Sequence, residues 1–268
     1  MRRAGVSFLS TSVTAVLMLS ACGGGSNGQQ SGSLARPGSS TSAAASSGAP
    51  STPSAPSPEC RDASRFCLGV LQPGTYRSAH LDVFSTGKPG QLSYSVGPGW
   101  ANTLDHQPSY WIRPQQAYLA ADWQTSTSGI YVWTNVAAAK QVNTCPEESE
   151  TNVKTGAASI AAWLSGLPGL SITKRDPITI DGRQAIVLDV HTSGPKALCD
   201  PDAPLLANRP GAPDPWVNGI NISEAQRLML FDLPGGHTAE VVVAGPKADL
   251  DTLLARAAPV IASMHFAL

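Results

Sequence analysis

The sequence predicts an α+β domain, a mostly antiparallel sheet with one central helix and one helix near the C-terminus. Three observations predict it. Short stretches alternate apolar and polar residues with a period of two, as at Leu92-Ser93-Tyr94-Ser95-Val96. Turn residues join neighbouring stretches, most clearly Asp181-Gly182 and Pro234-Gly235-Gly236. Helical spacing is carried by two segments, Val153, Ala157, Ile160, Leu164, Leu167 and Leu250, Leu253, Leu254, Ala257, Ile261. Strands therefore come in antiparallel runs broken by two helices.

The foldable part starts late in the chain of 268 residues. Met1-Arg2-Arg3 is a positive start, and Val6 to Leu19 is an apolar run of signal-peptide length, too short for a membrane span. It ends in Leu19-Ser20-Ala21-Cys22. This stretch resembles the bacterial lipobox, a leucine and two small residues before a cysteine. The resemblance implies cleavage before Cys22 and a thioether-linked diacylglycerol on it, and two acyl chains give lasting membrane attachment. Arg2-Arg3 is not followed by the rest of a twin-arginine motif. Residues 22–58 are rich in Gly, Ser, Ala, Pro and Thr and bury too little to offset their ordering entropy. They read as a tether spanning roughly 30–35 Å, stiffer toward its proline-rich end. Residues 59–268 are left as one domain, long enough for a sizeable core.

Within that domain Thr75 to Ser78 follows the Pro73-Gly74 turn as a short strand. Leu92, Tyr94 and Val96 share an inward face, and Pro98-Gly99-Trp100 ends that strand. Ser109 to Arg113 and Gly129 to Val136 are further strands. In the second, Ile130, Val132 and Thr134 lie on one face and Tyr131, Trp133 and Asn135 on the other. The central helix is expected to be capped by Thr151 or Asn152 and stopped by Gly166 and Pro168-Gly169. Leu170 to Lys174 and Pro177 to Ile180 precede the Asp181-Gly182 turn. Arg183 to His191 returns from it with Ile186, Leu188 and Val190 buried. Ser193 to Ser223 reads as a long loop. Gln226 to Phe231 and Thr238 to Ala244 form a second hairpin. The last helix is expected to start with Pro246 at its first position and to bend or stop at Pro259. Ser263 to Ala267 returns as a final short strand.

Five cysteines bear on the compartment. Cys22 belongs to the processing motif, and Cys60, Cys67, Cys145 and Cys199 form an even set in an exported chain, which predicts two disulfides. Three connectivities are open. Cys60–Cys67 with Cys145–Cys199 is preferred, the first closing a short loop and the second stapling two irregular segments. Zinc is disfavoured because no His or Cys stands at ligand spacing beside Cys145 and Cys199.

The order of elements resembles the PsbP-like fold found in lipid-anchored envelope proteins of actinobacteria, and a family of actinobacterial exported domains. The resemblance rests on Leu71-x-x-Gly74-x-Tyr76, Pro98-Gly99-Trp100, Trp163-Leu164-x-x-Leu167-Pro168-Gly169-Leu170 and Ile180-x-Gly182. It implies a fold and an extracytoplasmic setting. It implies no reaction, so no catalytic residue follows from it.

Charge excludes some partners. There are 18 Lys and Arg against 19 Asp and Glu, and no basic stripe, which argues against nucleic acid and against a polybasic membrane patch. No Gly-x-Ser-x-Gly elbow or phosphate loop occurs. His80, His106, His191, His237 and His265 lack metal-ligand spacing, and Asp200-Pro201-Asp202 lacks the glycine and terminal glutamate of a calcium loop. No catalytic, cofactor or metal residue is therefore assigned. The aromatic residues are the remaining hint. Tyr131 and Trp133, opposite the aliphatic face of their strand, are expected to line a ligand groove with Trp216, closed by the 193–223 segment.

These readings converge on a binding or scaffold module on the outer face of the cell membrane. It would be held through the lipid on Cys22, with an envelope protein, glycan or lipid as partner. An envelope hydrolase whose site leaves no local motif is the alternative.

Overall fold

The computed structural model describes residues 69–83, 87–120, 126–141, 148–193, 202–208 and 217–267. The chain divides into Met1–Ser51 and Thr52–Leu268, and every described residue lies in the second part. In chain order the elements are β1 (Gly69–Leu71), β2 (Gly74–Arg77), β3 (Leu92–Val96), β4 (Trp100–His106), β5 (Ser109–Pro114), α1 (Gln115–Leu119), β6 (Gly129–Thr134), β7 (Val136–Ala138), α2 (Ala157–Leu164), β8 (Leu170–Ile180), β9 (Arg183–Thr192), β10 (Asp202–Asn208), β11 (Val217–Asn221), β12 (Glu224–Leu233), β13 (His237–Pro246), α3 (Leu250–Ala262) and β14 (His265–Phe266).

One eight-stranded sheet, ordered β1-β4-β5-β6-β13-β12-β9-β8, organises the domain, and every neighbouring pair in it is antiparallel. The predicted α+β class is what is seen. Both faces of this sheet are covered. On one face Ile112, Ile130, Val132, Val187, Met229, Phe231, Val241 and Val243 pack against α3 and against the small sheet β14-β3-β2. On the other, Tyr131, Trp133, Leu188, Val190, Leu228, Leu230 and Val242 pack against α2 and the small sheet β11-β10-β7. Double coverage explains the unbroken apolar run Val241-Val242-Val243, since a strand buried on both sides has no polar face to alternate with.

Two backbone positions redirect the chain between sheets. Asn135, at φ 58°, separates β6 in the large sheet from β7 in a small one. Gly99, at φ 87°, separates β3 from β4 in the same way. A Cβ at Gly99 would lie 2.5 Å from the Arg256 guanidinium, which donates to the Gly99 carbonyl and lies 4.8 Å over the Trp100 ring.

Several predicted boundaries change. α2 begins at Ala157, not at Thr151 or Asn152, and its first free N–H is met from elsewhere in the fold. The Ala157 amide donates to Asp232 Oδ1 on β12 at 2.7 Å. Pro246 closes β13 and does not open the last helix; Asp249 stands at the N-cap of α3. α3 runs through Pro259 to Ala262. Pro259 has no N–H for the Ala255 carbonyl one turn earlier, and both residues lie on the exposed side of the helix. The 193–223 segment is not one loop, because it contains β10 and β11. Pro98-Gly99 is followed at once by a new strand, β4.

Candidate functional site

The sheet ends at β8, which is bonded to β9 alone among the described strands. Its exposed residues include Lys174, Arg175, Asp176 and Pro177, the charge and proline that keep an edge from pairing with a second chain. Arg175 lies opposite Val187 and Ile178 opposite Ala185, so β8 carries one extra residue at Asp176-Pro177. That bulge changes the parity of the strand. Without it Arg175 and Ile178 would point to opposite faces, whereas here both look toward α3.

Between this edge and α3 lies a cleft of about 600 Å³. Its floor is Val187 and Met229 from the sheet, with Ile178 at the rim. Its wall is Leu254, Ala258, Ile261 and Ala262, which recur at helical spacing on α3. Two of these four wall residues are alanines, Ala258 and Ala262, and both are exposed. Ile178 is one of the few large apolar side chains left exposed, at 38%.

One end of the cleft is polar. Arg227 stands directly opposite Asp189 across β12 and β9, and donates from Nε to Asp189 Oδ1 at 2.6 Å and from an Nη to Oδ2 at 2.9 Å. Arg175 donates from Nε to the same Oδ2 at 2.6 Å. Burial works against the Asp189 charge, but the two guanidiniums outweigh it and hold the carboxyl below its ordinary range. A shared carboxylate thus fixes the direction of both arginines. Asp176 also lines the cleft.

The opposite face of the sheet holds a second polar group of residues, fully enclosed. Glu240 on β13 lies between Trp133 and Leu230 in the strand register and is 0% exposed. Both of its carboxyl oxygens accept from the Asn218 amide at 3.3 Å. Burial pushes its carboxyl up to about 8, against the opposing pull of the Asn218 bond. Farther along, buried Arg113 lies 5.3 Å from the Trp111 ring centroid and 5.9 Å from that of Tyr131. Gly129 makes room for it, since a Cβ there would sit 3.1 Å from Arg113 Cγ and 2.9 Å from the Ile112 carbonyl.

No protein-family model matches the chain, and no curated protein matches it. Among solved structures it is similar to the solution structure of cyanobacterial PsbP (CyanoP) from Synechocystis sp. PCC 6803. The two are 10% identical, the match covers 74% of this chain and 95% of that one, and the TM-score is 0.35. That neighbour bears the name of the fold that the sequence resembles, and a score of this size leaves the relation at a similarity.

Of the residues singled out from sequence, Cys22, Cys60, Cys67, Cys145, Cys199 and Trp216 lie outside the described residues. Tyr131 and Trp133 do share a face, as the alternation predicts, but that face is core and not an open groove. They are 9% and 8% exposed, both rings meet Trp111 edge-on, and the Tyr131 hydroxyl donates to the Thr127 carbonyl at 2.7 Å. The covering layer of α2 and β7-β10-β11 is the reason. Arg175, Asp189 and Arg227 are not found by motif. The available signal was charge inside apolar strands, Asp189 after Ile186-Val187-Leu188 and Arg227 before Leu228-Met229. Among the described residues no group of three or more His, Cys, Asp or Glu is placed to hold a metal ion.

Proposed function

We propose that this chain is a lipid-anchored binding module of the cell envelope, tethered through Cys22 and taking its ligand in the cleft between α3 and the β8 edge. One observation carries the binding part: the cleft of about 600 Å³, apolar along α3 and polar at the Asp189 end. A concave, mostly apolar site with a few converging polar groups is the usual form of a small-molecule site. The anchoring part rests on Leu19-Ser20-Ala21-Cys22 after an apolar run, followed by the Gly/Ser/Pro-rich tether. In this reading attachment is through the acyl chains on Cys22, two of which give lasting membrane binding.

One experiment tests both parts. Wild type, Cys22→Ser and Ala258→Trp are expressed in bacterial cells, fractionated, and examined by native mass spectrometry. Wild type is expected in the membrane fraction with a bound small molecule. Cys22→Ser is expected in the medium or unprocessed, and Ala258→Trp in the membrane without the bound mass. Membrane retention of Cys22→Ser at normal mature size overturns the anchor. A bound mass that persists in Ala258→Trp overturns the cleft as its site.

A further inference from the structure

We infer that the cleft selects a single-chain amphiphile with one anionic head group, seated on the Nη groups of Arg175 and Arg227 that Asp189 does not take, with its tail lying along α3. The inference rests on the cleft being the binding site, and it adds the class of ligand.

The head-group assignment comes from counting donors. A guanidinium offers five N–H groups on Nε and two Nη atoms. Arg227 spends Nε and one Nη on Asp189, and Arg175 spends only Nε. Both Nη groups of Arg175 and the second Nη of Arg227 have no partner among the described residues. Both arginines line the cleft, at 54% and 28% side-chain exposure, so these donors are within reach of a solute. Asp189 holds both guanidiniums by Nε, which leaves the planar Nη edge of Arg175 directed away from it. That edge is the one that pairs with a carboxylate or a phosphodiester oxygen pair.

The acids around the site limit the charge accepted. Asp189 offsets one arginine, Asp176 stands on the rim, and Asp251 at the start of α3 lies within electrostatic reach of Arg227. These three carboxylates outnumber the two guanidiniums, so what selects an anion is the directed Nη edge of Arg175 and not net charge, and a second negative charge on the ligand would meet the carboxylates. A cationic head meets Asp189 oxygens that already accept from three N–H groups and is left with Asp176 on the rim, so the cationic probe is the discriminating control.

The tail assignment comes from the apolar lining. Leu254, Ala258, Ile261 and Ala262 make a strip along α3 facing Val187, Met229 and Ile178. This strip is apolar and follows α3 from Leu254 to Ala262, and the guanidiniums stand at the β8–β9–β12 side of it. Burying methylenes there gives affinity that grows with chain length, by up to roughly fourfold for each one fully covered.

The test uses the full-length chain with Cys22→Ser, purified without detergent, and isothermal titration with four probes. These are laurate, octanoate, dodecyltrimethylammonium and dodecyl maltoside. Laurate is expected to bind at least about tenfold more tightly than the cationic probe, and more tightly than octanoate. Arg175→Gln, at an exposed position, is expected to weaken laurate about tenfold and to leave dodecyl maltoside unchanged, a charge-assisted pair being lost. Ala258→Trp is expected to remove binding of every probe, with Ala262→Leu as a milder filling of the same wall and a thermal melt to confirm folding. Equal affinity for anionic and cationic probes, with both blocked by Ala258→Trp, overturns the head-group inference and leaves the cleft as a site. Laurate binding that survives both fillings overturns the cleft itself. No laurate binding to a folded protein overturns the inference outright.

Discussion

Glu240 occupies a position on β13 where its cross-strand neighbours are Trp133 and Leu230, and among the described residues its carboxyl bonds only Asn218. With the folded value near 8 and the ordinary value at 4.5, the folded state keeps a proton that the unfolded chain releases between those two pH values. Stability contributed at this site therefore falls as pH rises from about 4.5 to 8 and levels off above that. Glu240→Gln removes the titration and keeps the shape and the neutral hydrogen bond. The variant is expected to be more stable than wild type at pH 7–8, by on the order of 3 kcal/mol, with the two converging below pH 4. Urea melts across that range check it; an unchanged pH slope in the variant would contradict the assignment. The sequence placed an acid inside a valine-rich strand, but it held no sign of Asn218, which arrives from another sheet.

At the scale of elements, α2 shows how a helix can borrow its cap. Helical spacing over Val153 to Leu167 located it, yet only Ala157–Leu164 is helical. Gly156 at the N-cap has no side chain to accept from the first turn; Asp232 on β12 accepts from the Ala157 amide, and the Thr238 hydroxyl donates to the same carboxyl oxygen. Asp232→Ala is expected to cost about 1–2 kcal/mol, in the range of lost N-caps, measurable as a lowered urea midpoint at unchanged slope. A change within a few tenths of a kcal/mol would mean that water caps the helix equally well. β8 makes a similar point about register. Pro177 marked an interruption in the sequence, so the strand was read as two pieces. The structure keeps it whole, because a bulge absorbs one residue and returns the ladder at Ile178.

Across the whole molecule, the C-terminus is tied to the β8–β9 hairpin through Asp181. Its carboxylate accepts from His265 Nδ1 at 2.6 Å, from the Phe266 amide at 3.0 Å and from an Arg183 Nη at 2.6 Å. Burial opposes the charge, but these bonds outweigh it and hold the carboxyl below the usual carboxylate range. A lowered folded value means that this stabilisation is present above the unfolded value and is lost as pH falls through the folded one. Asp181→Asn is expected to melt at lower temperature than wild type at pH 6, with the difference shrinking below pH 4. A constant difference across that range would show that the bonds do not depend on charge.

Much of the fold was legible from local chemistry alone. The Asp181-Gly182 turn needs positive φ at both residues, has 50° and 74°, and so declared its hairpin in two letters. The alternation at Leu92-Ser93-Tyr94-Ser95-Val96 and the spacing of Leu250, Leu253, Ala257 and Ile261 fixed their inward faces, which are buried as read. The α+β class followed from these. The signal, the lipid on Cys22 and the tether are expectations of a different kind, from covalent motif and composition, and they lie outside the described residues. Periodicity says which residues share a face and nothing about what covers it. That is why alternation predicts a groove face for Tyr131 and Trp133 whereas they lie in a core, and why β10 and β11 stand in a segment whose prolines and glycines predict a loop. The cleft belongs to the same class of fact. Arg175, Asp189 and Arg227 stand on three strands, and only the β8-β9-β12 register, a one-residue bulge and the packing of α3 bring them to one rim.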